Sequence, residues 1–399
     1  MLAALWPGAA RAEDIVLGMS AAFTGSSRGL GIELYRGAKA YFDEINEKGG
    51  VHGRKIVIKA YDDGYNPLPA IENTVRLVEK DKVFLLFGYV GTPTVTRVLP
   101  LLKRYSDRSI YLFAPFTGAE PQRRPPYDSL VFNLRASYRQ ETEGLVDNFV
   151  RIGCKRIAVF YQIDAYGRCG WNGVRAALAK HGLKMATEAT YRRGATFNQS
   201  MTEQAAIIKA SEPDAVICVG SYAACAAFIR DARDAGLEAP IANVSFVGSE
   251  NLVSQLQEAG KASGQDYTRN LINSQVVPSY HRIELPAVKE YRALMEKHHP
   301  MPGPDLLDEG YQPLPLSYVG MEGFLNARLL VEVLRKLGPD LDRSRMKETV
   351  ESFHRLDLGI NVPVSFGPDR HQGLDEIYYT GVKDGKFVTL ADGWKRWQR

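Results

Sequence analysis

The feature that most constrains this chain is the regular alternation of short apolar runs and amphipathic stretches between Ile15 and Gly236. The run Val83–Phe87 is apolar throughout, which is typical of a strand covered on both faces in a parallel sheet. The stretch Ile32–Glu47 instead repeats apolar residues at helical spacing and ends at Gly49-Gly50. Repeated strand–helix units predict an α/β fold of doubly wound parallel sheets flanked by helices.

The predicted strands and helices in this part are, in order, Ile15–Met19, Ile32–Glu47, Lys55–Ala60, Pro69–Lys80, Val83–Phe87, Pro93–Ser106, Ile110–Ala114, Glu141–Ile152, Arg156–Tyr161, Gly170–His181, Asn198–Ser211, Ala215–Val219 and Ala223–Gly236. These units are too many for one sheet, and 399 residues suit two domains. Breaks between sheets are predicted at Arg135–Tyr138 and Asn270–Ser279, and hairpin-like sequence follows Val350. The sequence therefore predicts two lobes joined by several crossings.

Composition excludes several classes of protein. Fifty Lys and Arg against 46 Asp and Glu give a net charge of +4 that is spread along the chain, without the basic stripe of a nucleic-acid-binding protein. A hydrophobic content of 45% with 24% charged residues is that of a globular protein. The four cysteines form no Cys-x-x-Cys pair for zinc; buried free thiols are expected, and their spacing leaves any pairing open.

The N-terminus indicates export. Ala10-Arg11-Ala12 has the small-x-small form of a signal-peptidase site, and a strand follows from Ile15. We interpret residues 1–12 as the remnant of an export signal, which predicts a periplasmic location. The longest apolar stretch, Ala215–Ile229, contains Gly220, Ser221 and Tyr222, so we expect a strand, a turn and a helix there rather than a membrane span.

Motifs of catalysis and cofactor binding are missing from the sequence. Gly29-Leu-Gly31 follows a strand, but Leu34 stands where a dinucleotide fingerprint needs its third glycine. No phosphate-binding loop, zinc-protease motif or nucleophile elbow occurs, and His298-His299 is expected at the surface. We therefore predict a protein that is not an enzyme and needs neither cofactor nor metal.

Hydroxyl and aromatic residues follow several predicted strands. Thr92 is expected to cap a helix with Pro93 in its first turn, leaving backbone N–H groups free for a ligand oxygen, and Phe116 and Thr117 end the next strand. Plain capping remains the alternative for Thr92. Tyr166, Ser221-Tyr222 and the stretch Val244–Glu250 occupy the same position in the second half. Ligands of open α/β sheets bind at the carboxyl ends of strands, so these residues predict a binding cleft.

These residues resemble a known family. The chain is similar to exported branched-chain amino-acid-binding proteins of ABC transporters in a series of short segments. These are Phe42-Asp-Glu-Ile-Asn-Glu-Lys-Gly-Gly-Val-His-Gly-Arg-Lys55, then Tyr61-Asp62-Asp63, Pro67, Gly91-Thr92, Ala114–Thr117, Tyr166-Gly167 and Ala232–Leu237. The resemblance covers essentially the whole mature chain and is most specific in its first block. It implies a type I periplasmic binding protein: two Rossmann-like lobes joined by three hinge crossings, closing on a small ligand.

With the breaks above, the resemblance gives a first lobe of residues 13–135 plus 275–350 and a second lobe of 136–274 plus 351–399. It implies that Gly91 and Thr92 hold a ligand carboxylate, that Phe116 and Thr117 add contacts, and that Phe23 covers the ligand. Tyr166, Ser221 and Tyr222 would close on it from the second lobe.

One departure from the family bears on the ligand. The acidic partner of the ligand ammonium falls near Phe246 here, and Glu250 is the nearest carboxylate. A buried ammonium without a partner is costly. The sequence therefore predicts a carboxylate or amide ligand, including aromatic ones, rather than a zwitterionic aliphatic amino acid.

Three functions follow, in order of preference. The first is an exported receptor that delivers its ligand to an inner-membrane ABC permease. The second is a sensor of the same fold acting on a signalling or regulatory partner, and the third is an α/β enzyme, for which no nucleophile–base pair is found.

Overall fold

The computed structural model describes residues 13–391 and 393–399, so the predicted signal remnant at 1–12 lies outside the described residues. The strands are β1 Ile15–Ala21, β2 Ile56–Asp62, β3 Leu85–Phe87, β4 Leu112–Phe113, β5 Val131–Phe132, β6 Ile157–Gln162, β7 Glu188–Tyr191, β8 Ala215–Val219, β9 Ile241–Asn243, β10 Leu271–Gln275, β11 Leu356–Asp357, β12 Pro363–Val364, β13 Tyr378–Lys383 and β14 Lys386–Thr389. The helices are α1 Arg28–Glu47, α2 Pro67–Glu79, α3 Thr92–Arg104, α4 Tyr138–Arg151, α5 Ala165–Lys180, α6 Thr202–Ala210, α7 Tyr222–Asp234, α8 Ser249–Ser263, α9 Pro286–His298, α10 Tyr318–Leu337 and α11 Met346–Glu351. Among the described helices, none combines the length and the apolar character that crossing a bilayer requires.

The first lobe is built on a five-stranded parallel sheet in the order β2-β1-β3-β4-β5. Its strands β3 and β4 are buried along their whole length, as the apolar run at Val83–Phe87 predicts. Helices α1 and α10 pack closely, and a Cβ added to Gly37 would lie 1.8 Å from the carbonyl oxygen of Gly320. Glycine is therefore required at this helix crossing.

The second lobe is built on a seven-stranded sheet in the order β14-β13-β10-β9-β8-β6-β7. Strands β10, β9, β8, β6 and β7 run parallel, whereas β13 and β14 join as an antiparallel pair. Strands β6 and β8 are buried at every residue, which explains their continuous apolar sequence. The α/β class and the two doubly wound lobes are as predicted.

Three segments cross between the lobes. The first, Asn133–Ser137, leads from β5 to α4, and the second leaves β10 after Gln275. The third comes later than the predicted boundary at residue 351, because Phe353, Leu358 and Phe366 pack in the core of the first lobe, and the chain reaches the second sheet only at β13. The hairpin signal at Asp384-Gly385 marks β13–β14, while the preceding residues form the separate ribbon β11–β12.

Candidate functional site

Five aromatic side chains meet between the lobes and form what we call the aromatic cluster: Tyr65, Phe116, Tyr138, Tyr166 and Phe246. Phe246 lies at its centre, with its ring centroid 5.1 Å from Phe116 in a stacked arrangement and 4.7 Å from Tyr166. The rings of Tyr65 and Tyr138 lie 5.9 and 6.4 Å from it. Because Phe116 ends a strand of the first lobe and Phe246 follows β9 of the second, the cluster is a contact between the lobes.

The aromatic cluster is densely packed. The five side chains are between 0% and 2% exposed. A void among them as large as a water molecule would leave part of their surface accessible, so their rings contact each other without room for a small molecule. In this arrangement the lobes are closed, and the space between the strand ends is filled by the protein's own side chains.

Thr92 and Thr117 supply the polar side of the cluster. Their hydroxyl oxygens lie 2.7 Å apart, and both residues are fully buried. Thr92 is the first residue of α3 and does not cap it, contrary to the prediction, because Gly91 takes the N-cap position with a φ of 104°. Only glycine adopts this φ readily. The Thr92 hydroxyl is thereby left to face Thr117 rather than the helix backbone.

Tyr166, Ser221 and Tyr222 lie where predicted, on the second lobe's strand exits. Tyr166 donates its hydroxyl to the carbonyl of Gly220 at 3.3 Å, which gives the buried phenol the partner it needs. Tyr222 begins α7 and accepts a hydrogen bond from the amide of Gly29 in the first lobe at 3.2 Å. Ser221 precedes α7 and is buried, but its side chain makes no capping hydrogen bond.

Phe23, Gly91 and Glu250 have positions that the sequence did not indicate. The ring of Phe23 packs edge-on against Tyr35 of α1 at 5.9 Å, and a Cβ added to Gly91 would lie 2.2 Å from the ring of Tyr65. The carboxylate of Glu250 accepts a hydrogen bond at 3.1 Å from the amide of Tyr318, at the start of α10. Burial raises the pKa of Glu250 to about 7. Glu250 therefore joins the lobes at α10 instead of joining the aromatic cluster.

Sequence reasoning missed two members of the cluster. Tyr65 lies between the predicted strand Lys55–Ala60 and the predicted helix Pro69–Lys80, and Tyr138 lies in a predicted crossing, with no role predicted for either ring. Tyr65 follows β2 with a φ of 60°, and its hydroxyl accepts a hydrogen bond from Gln162 of the second lobe at 3.3 Å. Its position after a strand is the same signal that identified Tyr166. Tyr138 carries no such signal, because its contacts depend on how the crossing folds.

A second contact between the lobes is polar, and we call it the ionic network: Arg135, Glu141, Ser245, Ser274 and Glu322. Arg135, 1% exposed, lies 3.1 Å from Glu141 of α4 and 3.5 Å from Glu322 of α10. Glu141 also accepts hydrogen bonds from the hydroxyls of Ser245 and Ser274 at 2.9 and 2.6 Å. Burial raises the pKa of Glu322 to about 7, against the opposing effect of Arg135. The network connects the first crossing, through Arg135, with helices of both lobes.

A solvent-open cavity of about 540 Å³ lies outside the cluster and is also formed by both lobes. Arg28 and Tyr311 line it from the first lobe, and Tyr222 and Asn251 from the second. On its inner side the lobes are in direct contact, since a Cβ added to Gly248 would lie 2.7 Å from Leu30. A molecule in this cavity reaches the aromatic cluster only when the lobes separate.

One group of potential metal ligands occurs within residues 13–391 and 393–399: Glu44, Glu47 and His298. The Lys297 ammonium lies 2.6 Å from Glu44 and 2.5 Å from Glu47, so a cation of the protein itself already neutralises these carboxylates. His298, expected at the surface, is half-buried beside them. The four cysteines are unpaired.

Comparison with known proteins agrees with the fold. The family described as periplasmic binding protein matches residues 14–386. An amino acid binding protein of Pseudomonas aeruginosa is 28% identical over 263 residues, which are 65% of this chain and 66% of that protein. Leu/Ile/Val-binding protein homolog 3 of Brucella melitensis is 25% identical over 57% of this chain and 60% of its own length. The alignments thus span less than two thirds of either relative.

A solved structure extends the similarity to the whole chain. A possible leucine/isoleucine/valine-binding protein from Rhodopirellula baltica is 31% identical, with a TM-score of 0.84 over 98% of this chain and 99% of that one. Proteins of this family bind substrates and are not classed as enzymes. The match over residues 14–386 and the two-lobed α/β architecture lead to one conclusion: the chain belongs to the branched-chain amino-acid-binding family of periplasmic binding proteins and has their type I fold.

Proposed function

We propose that this protein is an exported solute receptor that captures a small organic ligand between its lobes and delivers it to an inner-membrane ABC permease. Its place of action would be the periplasm. Relatives named for binding amino acids and Leu/Ile/Val support the general role. The observation that carries the proposal is the aromatic cluster, in which strand ends of both lobes meet around the paired hydroxyls of Thr92 and Thr117.

The closed, filled cluster fits a receptor whose lobes separate to admit the solute. Phe246 belongs to the second lobe, so separation withdraws its ring from Phe116 and exposes the Thr92–Thr117 pair. The solute then takes the place of aromatic contacts when the lobes close again. Hinge closure of this kind is the usual way in which two lobes bind a small ligand.

The charged groups around the cluster favour a carboxylate or amide without an α-ammonium group. The resemblance implies that the family's acid falls near Phe246, and Glu250 is turned to the amide of Tyr318. Asp164 accepts hydrogen bonds from Gln162 at 2.6 Å and from the amide of Tyr166 at 2.9 Å. Both oxygens of Asp164 thus already accept hydrogen bonds, and Glu250 lies at α10 with its second oxygen buried and unpartnered rather than in the aromatic cluster. A ligand ammonium buried in the cluster would lack a partner, which would be costly.

Calorimetry on protein stripped of retained solute tests this ligand class. We expect aromatic carboxylates or amides to bind and leucine and valine not to bind at micromolar concentration. Micromolar binding of leucine would contradict the ligand class and leave the receptor role intact. Small-angle scattering should show the molecule becoming more compact with a bound solute, and a constant radius of gyration with every bound solute would contradict hinge capture.

A pair of isosteric variants locates the site. Thr92→Val removes a hydroxyl of the proposed site and should weaken solute binding by about tenfold, the usual effect of one lost hydrogen bond. Thr74→Val makes the same change at a buried hydroxyl that bonds Ala70 and Tyr89 in the first lobe, and should leave affinity unchanged. Uptake of the solute by cells, lost on deletion of this protein, would distinguish an importer receptor from a sensor.

A further inference from the structure

Tyr138 carries a buried hydroxyl for which the fold provides no hydrogen bond of normal geometry. The side chain is 1% exposed, and its hydroxyl makes no hydrogen bond. Burial raises the pKa of this phenol to about 12, so it is a neutral hydrogen-bond donor at physiological pH. A buried polar group without a partner costs free energy and calls for an explanation.

The position of the Tyr138 ring is fixed by the backbone. Its amide donates to the carbonyl of Gly118 at 2.7 Å, and a Cβ added to Gly118 would lie 2.6 Å from the ring. The hydroxyl lies close enough to those of Thr92 and Thr117 for them to counteract part of the effect of burial on its pKa. Thr92 is also the first residue of the thirteen-residue helix α3, whose unpaired backbone amides favour negative charge.

Two guanidinium groups lie behind these hydroxyls. The Arg135 guanidinium lies 5.0 Å from the centre of the Phe116 ring and 5.6 Å from that of Tyr138. Arg123 contacts the carbonyl of Thr117 at 3.4 Å, next to Arg135. The balancing carboxylates, Glu141 and Glu322, lie with Arg135 in the ionic network. An anion at the three hydroxyls would thus face two guanidinium groups through a thin layer of protein.

We propose that Tyr138 is a ligand-binding residue, and that its hydroxyl completes a carboxylate subsite with Thr92 and Thr117. The inference rests on the proposed receptor function and narrows its ligand class to flat carboxylates, excluding neutral amides as tight ligands. Three hydroxyl donors suit the two oxygens of a carboxylate, which accepts hydrogen bonds only. The flat remainder of the solute replaces the ring of Phe246 against Phe116 and Tyr166.

Benzoate and benzamide are the probes, because they share one shape and differ in charge and hydrogen-bonding pattern. Calorimetry at neutral pH should show benzoate binding to the wild-type protein and benzamide binding at least tenfold more weakly. Tyr138→Phe removes only the hydroxyl and should weaken benzoate binding by about ten- to a hundredfold, as expected for a hydrogen bond to a charged group.

Stability separates ligand binding from a structural role. The Tyr138 hydroxyl has no partner, so Tyr138→Phe should leave the Tm of the unliganded protein unchanged or raise it. Tyr89→Phe is the matched control: its buried hydroxyl bonds Thr74 at 3.0 Å, and its loss should lower the Tm without changing benzoate affinity.

Three outcomes would overturn the assignment of Tyr138. The first is a lowered Tm in Tyr138→Phe together with unchanged benzoate affinity. The second is equal affinity of the wild-type protein for benzoate and benzamide, and the third is that the wild-type protein does not bind benzoate at all. If the wild-type protein closes on a different solute while ignoring benzoate, the receptor function stands and the carboxylate subsite falls.

Discussion

The aromatic cluster and the ionic network join the same two lobes by different physical means. The cluster is made of rings that pack without strict direction, so another flat molecule can replace one of them. The ionic network pairs one buried guanidinium with two carboxylates from different lobes, and removing any partner leaves a buried charge. We infer that the aromatic cluster is the exchangeable contact between the lobes and the ionic network the permanent one.

The largest effect is expected from Arg135→Leu. The change leaves Glu141 and Glu322 buried without their counter-charge, and breaking such a pair costs about 3–5 kcal/mol of unfolding free energy. Urea denaturation measures it. Arg108→Leu, at a surface pair with Glu79, is the control and should cost about 1 kcal/mol or less. Equal losses in the two variants would refute a structural role for the network.

Phe246→Ala tests whether the cluster contact is exchangeable. The loss of unfolding free energy should be about 2 kcal/mol, below the 3–5 kcal/mol usual for a core phenylalanine, because the lobes can part instead of keeping a cavity. Scattering should show a larger radius of gyration. Phe228→Ala is the control, because the ring of Phe228 stacks on Phe160 at 4.1 Å inside the second lobe. This variant should lose about 3–5 kcal/mol of unfolding free energy and keep the radius of gyration of the wild type. Equal losses of unfolding free energy and equal radii of gyration in the two variants would contradict the inference that the cluster contact is exchangeable.

Glu322→Gln should alter how stability depends on pH. Burial raises the pKa of Glu322 from its usual value of 4.5 to about 7, so the folded protein holds a proton that the unfolded chain has released. The stability from this proton is complete below pH 4.5 and disappears as pH rises through 7. The variant should therefore lose less stability than the wild type between pH 6 and 8, by about 1 kcal/mol.

Denaturation at a series of pH values measures this difference. Burial likewise raises the pKa values of Asp63 and Glu250 to about 7. The unfolding free energy of the variant should therefore still fall with rising pH, but less steeply than that of the wild type. Glu79→Gln at the surface is the control and should follow the wild-type curve. A wild-type slope in Glu322→Gln would show that the ionic network takes up no proton in this range.

The smallest effect is expected at the edge of the cleft. Tyr222→Phe removes the hydrogen bond from the Gly29 amide, a neutral interaction between the lobes worth about 0.5–1 kcal/mol. The Tm should fall slightly, and the radius of gyration should increase less than in Phe246→Ala. A larger opening in Tyr222→Phe would mean that the rim, rather than the cluster, holds the lobes closed.

Local sequence patterns were sufficient where one element decides the outcome. The buried run at β3 and the glycine pair after α1 have local causes, and both were predicted. Prediction was weaker where the position of a side chain depends on residues that are distant in the chain. Thr92 has the sequence of an N-cap, yet the backbone of Gly91 takes that role and directs the Thr92 hydroxyl to Thr117, a residue of another strand exit. The third crossing was placed too early, because residues after Val350 fill the first lobe's core before the chain returns.

The α/β class, the two lobes and the strand exits that carry Thr92, Phe116, Tyr166 and Phe246 can be predicted without the structure, since each follows from hydrophobic period and turn chemistry along the chain. The folded molecule alone reveals that Tyr65 and Tyr138 join these residues, that Glu250 turns away to α10, and that Arg135 pairs with both lobes. The reason is physical: these contacts connect residues far apart in the chain, and only the closing of one lobe on the other determines which side chains meet.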